Sequence, residues 1–361
     1  MIVSDLVRAM EAIAPTRFAA PWDNVGLLVG DGAAPMARVL LAVDTTSEVL
    51  GEAVRERCEA VVSYHPPIFG ALKGVVAGSV AYEAVRRGLA IYSPHTALDV
   101  ADGGTNDVLA DSIGMAPRAP LRLVEAADAR VKLVTFVPAD HVEAVSRAVF
   151  AAGAGEIGNY SACSYRSTGT GTFFGEEGAR PAVGAAGRLE EVAEVRLETV
   201  VPTGAAEEVV RALRAAHPYE EPAFDLVRLA DPTSRGLGRV GPVPRAPARA
   251  LVEKAKAALG LATVLVAGPL NREVSRAAVC AGSGGDLVAD AIASGAELLL
   301  TGELKHHDVL HVVAAGLVAV CTRHSSSERP ALAALRARLE SLLPGVQVVQ
   351  SSADREPLDY V

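Results

Sequence analysis

The run "RVLLAVDTTSEVLGEAVRERCEAVVSYHPPIFG", residues 38–70, decides the fold. "RVLLAVD" reads as an apolar strand, "SEVLGEAVRERC" as a helix and "AVVSY" as a second apolar strand. Near-continuous apolar strands separated by a helix are the signature of a βαβ unit, in which the strands lie parallel and helices cover both faces. The second strand stops at Tyr64-His65, and Pro66-Pro67 follow directly. Consecutive prolines remove ladder donors and fix φ, so the chain leaves the sheet on a stiff extended loop. His65 is therefore held at the end of a buried strand.

The same alternation continues outward. "GSVAYEAVRRG" and "LAIYS" add a helix and a strand, closing a first block over residues 1–122. Between 123 and 231 the style changes. "RVKLVTFVP" is a strand, "HVEAVSRAVFAAG" a helix, "YSACSYRSTGTGTFF" a hairpin-like stretch of period two, "VAEVRLETVVP" a strand, "AAEEVVRALRAAH" a helix and "AFDLVRL" a last strand. That order, βαββαβ, describes a ferredoxin-like unit complete in itself, whose neighbouring ends suit it to insertion into a host domain. The third block, 232–361, opens with "RGLGRVGPVPRAPA", read as a Gly/Pro-rich linker. It then resumes βαβ order with "RAAVC", "LVADAIASG", "ELLLTG", a helix from Leu304, "LVAVC" and a final helix from about Ser326. The expected architecture is one α/β domain with largely parallel sheets, split in two by the insert.

The totals agree with this class. The 361 residues exceed one ordinary domain, half are hydrophobic and only 4% aromatic, so the core must be mostly Ala, Val and Leu. A net charge of -9 argues against a nucleic-acid binder or a protein of acidic membranes, which need a basic face. Cys58, Cys163, Cys280 and Cys321 form no CxxC pair and read as reduced thiols. The N-terminal stretch carries Leu6, Val7, Met10 and Ile13 on one helical stripe and lacks the apolar core of a signal peptide. No run approaches the ~18 apolar residues of a membrane span. The expectation is a soluble, cytoplasmic protein.

Polar residues gather where strands end. His65 follows "AVVSY"; His95 and Asp99 lie in "PHTALDVADGGTND" after "LAIYS". Glu303, His306 and His307 follow "ELLLTG", and His324 and Glu328 lie in "TRHSSSERP" after "LVAVC". The carboxyl ends of parallel strands share an edge where ligands bind, so segments distant in sequence can converge there. Two imidazoles and two carboxylates, His65, Asp99, His324 and Glu328, suit zinc, iron or manganese. Each has a plainer reading. His65 alone could be a packed histidine, Asp99 could serve a turn, and Ser325 with Glu328 forms a capping box that merely starts a helix. His324 and Glu328, four apart, could nonetheless reach one ion. "CAGSGGD", Cys280–Asp286, is a strand, glycine turn and helix that could cradle a phosphate or be a simple tight turn.

Several of these stretches together resemble the NIF-three-like family, whose members carry the name GTP cyclohydrolase 1 type 2 homologue. The matching segments are "WDNVGLLVGD", "SYHPPIF", "SPHTALDVADGGTND", "GLGRVG", "TGELKHHD" and "RHSSSER", in the same order and over nearly the whole chain. "GAGEIGNYSACSYRSTGTGTF" and "HPYEEPAFD" resemble the CutA/PII-like insert of the longer bacterial members. The resemblance implies two divalent metal ions held by His65, Asp99, His324 and Glu328, with Glu328 as the bridge. A fifth ligand, a histidine in many members, falls on Tyr64. "SYHPPIF" and "TGELKHHD" are similar to the eukaryotic forms, whereas many bacterial members pair His-His at the first motif with Tyr-His at the second. One expectation is that His306 restores the imidazole count from across the site, with Tyr64 facing the metals as a hydrogen-bond donor or weak ligand.

The resemblance also implies a toroidal homohexamer. The leading functional expectation is a metal-dependent hydrolase of a nucleotide or phosphoester, with His306, His307 or Glu303 shuttling protons. The alternative is a non-catalytic metal-holding or regulatory ring whose PII-like insert senses a small molecule or metal.

Overall fold

The computed structural model describes residues 1–124, 129–229 and 235–358. The chain divides into two compact units, Met1–Ala126 with Thr233–Val361, and Ala127–Pro232.

In the first unit a five-stranded sheet has the spatial order Gly26–Val29, Ala90–Ser93, Ala60–Ser63, Arg38–Ala42 and Gln347–Gln350. Its pairings are parallel apart from the first. Both faces are covered, which is why its three central strands are almost wholly apolar and buried. Helices Val3–Ile13 and Ala331–Leu342 pack Leu6, Met10, Leu332 and Leu335 on one face, while Ser47–Arg55 packs Val49 and Leu50 on the other.

A second sheet of six strands runs Leu265–Ala267, Val318–Cys321, Leu298–Glu303, Glu273–Ser283, Gly236–Pro247 and Ala119–Leu123. Only its central pairings are parallel; the other three are antiparallel, so this sheet is mixed. The stretch expected to be a linker is the strand Gly236–Pro247. Its glycines admit neighbouring backbone instead of loosening the chain: a Cβ on Gly236 would lie 2.0 Å from the Arg122 carbonyl oxygen. Its prolines coincide with a shift of register between Pro242 and Ala246.

The halves of this unit are tied across the insertion. Arg239 is buried; its Nε donates to Asp107 Oδ1 at 2.6 Å, and its other nitrogens reach carbonyls of Gly236, Gly238 and Ala101.

The second unit has the order strand Arg130–Pro138, helix Val142–Ala151, strands Ser164–Phe174 and Leu189–Pro202, helix Ala206–Ala216 and strand Phe224–Arg228. Its four antiparallel strands are arranged Ser164–Phe174, Leu189–Pro202, Arg130–Pro138, Phe224–Arg228. Val145, Val149, Val209 and Leu213 from the helices pack on one face of the sheet. Val131 pairs with Arg228, so the unit's first and last strands lie side by side, and in the first unit Leu123 pairs with Gly236 in the same way.

Candidate metal centre

The parallel strands of both sheets end at one site. Ala42 is level with Ser63, so Asp44 and His65, two residues further along each strand, leave the first sheet together. Thr301 is level with Cys321 in the second sheet, which releases Glu303 and His324 on the same side. The ring centroids of His65 and His324 are 5.3 Å apart. The converging residues come from the edges of two sheets.

Glu328 stands between the two imidazoles. Its Oε2 is 3.3 Å from His65 Nε2 and its Oε1 is 3.2 Å from His324 Nε2, with the side chain 4% exposed. Among the described residues His65, His324 and Glu328 form a group able to hold a metal ion, their ligand atoms lying within 4.8 Å of one another. Each histidine is fixed from behind. Asp44 Oδ1 is 2.9 Å from His65 Nδ1, and Glu303 Oε1 is 3.0 Å from His324 Nδ1. A carboxylate on Nδ1 sets the ring's tautomer and leaves Nε2 to act as a ligand.

The electrostatics follow from this crowding. Burial would lower the His65 imidazole, but Asp44 and Glu328 outweigh it and push it up to about 10. For His324 the bond to Glu328 is the largest influence, and the ring rises to about 9. Burial raises the Glu328 carboxyl, yet the two histidines bring it below its ordinary value. Without a metal ion, protons supply the positive charge this carboxylate calls for.

Two further observations show that the residues fit a metal ion. Beyond its 3.3 Å ion-pair contact with His65 Nε2, the buried Glu328 Oε2 has no hydrogen-bond partner among the described residues. Gly282, at φ +65°, leaves open the space in front of the group: a Cβ there would lie 2.7 Å from Glu328 Oε1 and 3.3 Å from His324 Nε2. Its N–H is engaged by Ser327 Oγ at 2.8 Å, so this amide of "CAGSGGD" is not free to cradle a phosphate.

The remaining expected residues fall into three places. Asp99, on the helix His95–Val100, lies outside the three-residue group and accepts a hydrogen bond from the Tyr64 hydroxyl. Burial, with Glu328 nearby adding to it against the Tyr64 bond, pushes Asp99 up to about 6. Tyr64 is buried and acts as the donor. Glu303 holds His324, which places it as a positioning residue. His306 and His307 begin the exposed first turn of the helix His306–Ala314 and contact one another at 5.4 Å. They stand outside the group because the strand ends at Glu303 and the chain turns away into that helix. No exchange of imidazoles is seen among the described residues.

The capping box is also not formed. The helix His324–Glu328 begins at His324 with Arg323 as its cap, and Ser325 and Ser326 donate to Glu356 Oε2 at 2.8 and 2.9 Å. Arg323 at φ +76° and His95 at φ +32° both occupy conformations that side chains rarely adopt. Such strain gathers at functional sites. His95 Nδ1 is 2.7 Å from Asp23 Oδ1, and its ring centroid is 5.5 Å from that of His65.

Sequence reasoning missed Asp44 and Asp23. Each was visible as an acid at a chain exit, Asp44 ending "LLAVD" and Asp23 within "WDNVG", but neither has a partner at short sequence distance. A cavity of about 930 Å³ adjoins the group, lined by His65, His324, Glu303, Arg323, Leu265 and Leu304.

Comparison with known proteins agrees over the whole length. Residues 1–357 match the Duf34/NIF3 (NGG1p interacting factor 3) family. The chain is 35% identical to a protein of Halalkalibacterium halodurans named GTP cyclohydrolase 1 type 2 homolog, covering 99% of this chain and 98% of that one. A protein of the same name from Mycobacterium bovis is 38% identical over 99% and 97%. Among solved structures, a Bacillus cereus protein related to NIF3 is 32% identical with a TM-score of 0.67, covering 100% of this chain and 99% of that one. The chain belongs to the Duf34/NIF3 family.

Proposed function

We propose that this protein is a metal-dependent hydrolase acting on a nucleotide or phosphoester. The observation that carries the reading is Glu328, buried between two imidazole Nε2 atoms whose opposite nitrogens are each held by a carboxylate. His65, His324 and Glu328 would hold one divalent ion, of zinc, iron or manganese. Asp99, steered by Tyr64, would join Glu328 in holding a second. An ion held there supplies Lewis acidity, acidifying water and polarising the bond under attack.

The chain's own residues do the rest. Asp44 and Glu303 keep His65 and His324 in one tautomer. His95, anchored on Asp23 through Nδ1, would exchange a proton at Nε2. The cavity of about 930 Å³ is of the size that takes a small-molecule substrate. A nucleotide is favoured by the name that the relatives carry.

The test is metal-reconstituted protein against a panel of nucleotides and phosphoesters, beside Glu328→Gln and His65→Ala. Turnover that vanishes in both variants supports the reading. Full metal occupancy without turnover on any member contradicts it.

A second reading, a metal-holding or regulatory ring, draws support from the inserted unit. Its βαββαβ order supports a ferredoxin-like, PII-like identity. A cavity of about 620 Å³ lies in it, lined by Phe136, Glu194, Arg196 and Tyr219 among others, as a sensing domain would need. A homohexamer in the cytoplasm, free of nucleic acid, completes either reading; the net charge of -9 is in keeping with the last point. No described helix is long and apolar enough to cross a membrane.

A further inference from the structure

A cluster of rings leads away from the candidate metal centre and ends in the open, with the centroids of both Trp22 and Phe69 5.9 Å from that of His95. Successive centroids of His324, His65, His95, Trp22 and Phe69 are separated by 5.3, 5.5, 5.9 and 5.8 Å. His65 and His95 are largely covered, their side chains 23% and 12% exposed, but the outer pair is not: Trp22 is 61% and Phe69 57% exposed. These two rings are stacked, with an interplanar angle of 22°. Large aromatic rings left in water beside a candidate reacting centre call for an explanation.

The pair is built, not merely exposed. Asp23, next to Trp22, has its side chain fully buried and accepts from His95 Nδ1 and from Thr96 N at 3.1 Å. Ala20 N donates to Thr96 Oγ1 at 2.9 Å, closing the turn that carries Trp22 onto the helix His95–Val100. Asn24 Nδ2 donates to the Ile68 carbonyl, tying the Phe69 loop to the same turn, and Pro66-Pro67 stiffen that loop at its start. Both rings are thus oriented before any ligand arrives, which removes part of the ordering cost of binding.

We infer that Trp22 and Phe69 form a stacking subsite for a planar, nucleobase-type ring of the substrate. The inference rests on the group of His65, His324 and Glu328 being the reacting centre, and it narrows the substrate to molecules with such a ring. Stacking on aromatic side chains recognises any base through its π-face and is sequence-tolerant. A ring on this pair has His95 as its inner neighbour, and a substituent passing His95 comes to His65, whose ring centroid is 5.5 Å beyond. A simple phosphoester without a ring would leave the pair bare.

Trp22 is the chain's single tryptophan, so its fluorescence reports this place alone. The experiment titrates the full-length protein, metal-free and metal-loaded, with GMP, UMP and ribose 5-phosphate, corrected for absorption against free tryptophan. Saturable quenching by GMP and UMP but not by ribose 5-phosphate is expected, with Phe69→Ala weakening it roughly tenfold at unchanged metal content. Absence of quenching by both nucleotides overturns the inference. So does equal quenching by ribose 5-phosphate, or a Trp22 shielded from acrylamide in the free protein, which would mean that another surface covers it. Quenching without any turnover keeps the subsite and removes the hydrolase reading. Turnover of ringless phosphoesters without quenching by nucleotides does the reverse.

Discussion

Asp44 Oδ1 lies 2.9 Å from His65 Nδ1, a contact between the ends of two adjacent parallel strands. It occupies Nδ1 and leaves Nε2 turned to Glu328, as a metal ligand would need. Removing such an outer partner costs a metal site about 10- to 100-fold in affinity. Asp44→Asn is therefore expected to weaken metal binding by that order in calorimetric titration. An affinity equal to the parent's would separate Asp44 from the site.

Gly282 offers a steric test. Gly282→Ala puts a methyl group 2.7 Å from Glu328 Oε1, on backbone at φ +65° that costs a side chain about 1–2 kcal/mol. The variant should lose metal and melt at a lower temperature than the parent. Undiminished metal content by elemental analysis would show that this space is not where an ion sits.

Arg239 and Asp107 carry a prediction about the split unit. Both are buried, and they come from opposite sides of the insertion. Breaking a buried pair from one side destabilises by about 3–5 kcal/mol. Because Asp107 keeps Arg118 Nε at 2.9 Å, Arg239→Met should fall near the lower end of that range, read from urea unfolding. A loss below about 1 kcal/mol would mean that the halves are held by apolar packing alone.

Stability in acid should depend on Glu52. Burial raises this carboxyl, but the hydroxyls of Ser351 and Ser352 and the amides of Ser352 and Ala353 overcome it and bring it down from 4.5 to about 2. A lowered carboxyl stabilises the fold at pH values above 4.5 and loses that contribution as pH falls toward 2. At about 1.4 kcal/mol per pH unit, up to ~3 kcal/mol is at stake. Glu52→Gln should melt lower at pH 7 and show a flatter decline between pH 5 and 2. An unchanged acid limb in pH-dependent melting would rule out this carboxylate as its source.

The candidate group was largely legible in the sequence because its members follow the ends of apolar strands. His65, His324 and Glu328 needed only the rule that parallel strands share a carboxyl edge. Their holders were harder to see. Asp44 looks like any acid opening a turn, and its meaning depends on the register of Ala42 with Ser63. Glu303 drew attention as a proton carrier because a carboxylate's role is set by what it touches, and His324 lies 21 residues away. The strand Gly236–Pro247 was hidden by its own composition, since glycine and proline usually end strands and here admit close neighbours and a shifted register. The strand Gln347–Gln350 returns to the first sheet beside Arg38–Ala42, a long-range pairing that no local pattern specifies.

The most direct measurement is anomalous diffraction from a crystal of the full-length protein equilibrated with zinc or manganese. The expected result is a peak coordinated by His65 Nε2, His324 Nε2 and a Glu328 oxygen, absent in Glu328→Gln. Ordered side chains at these three residues with no peak between them, at a metal concentration that loads the protein elsewhere, would contradict the metal centre itself.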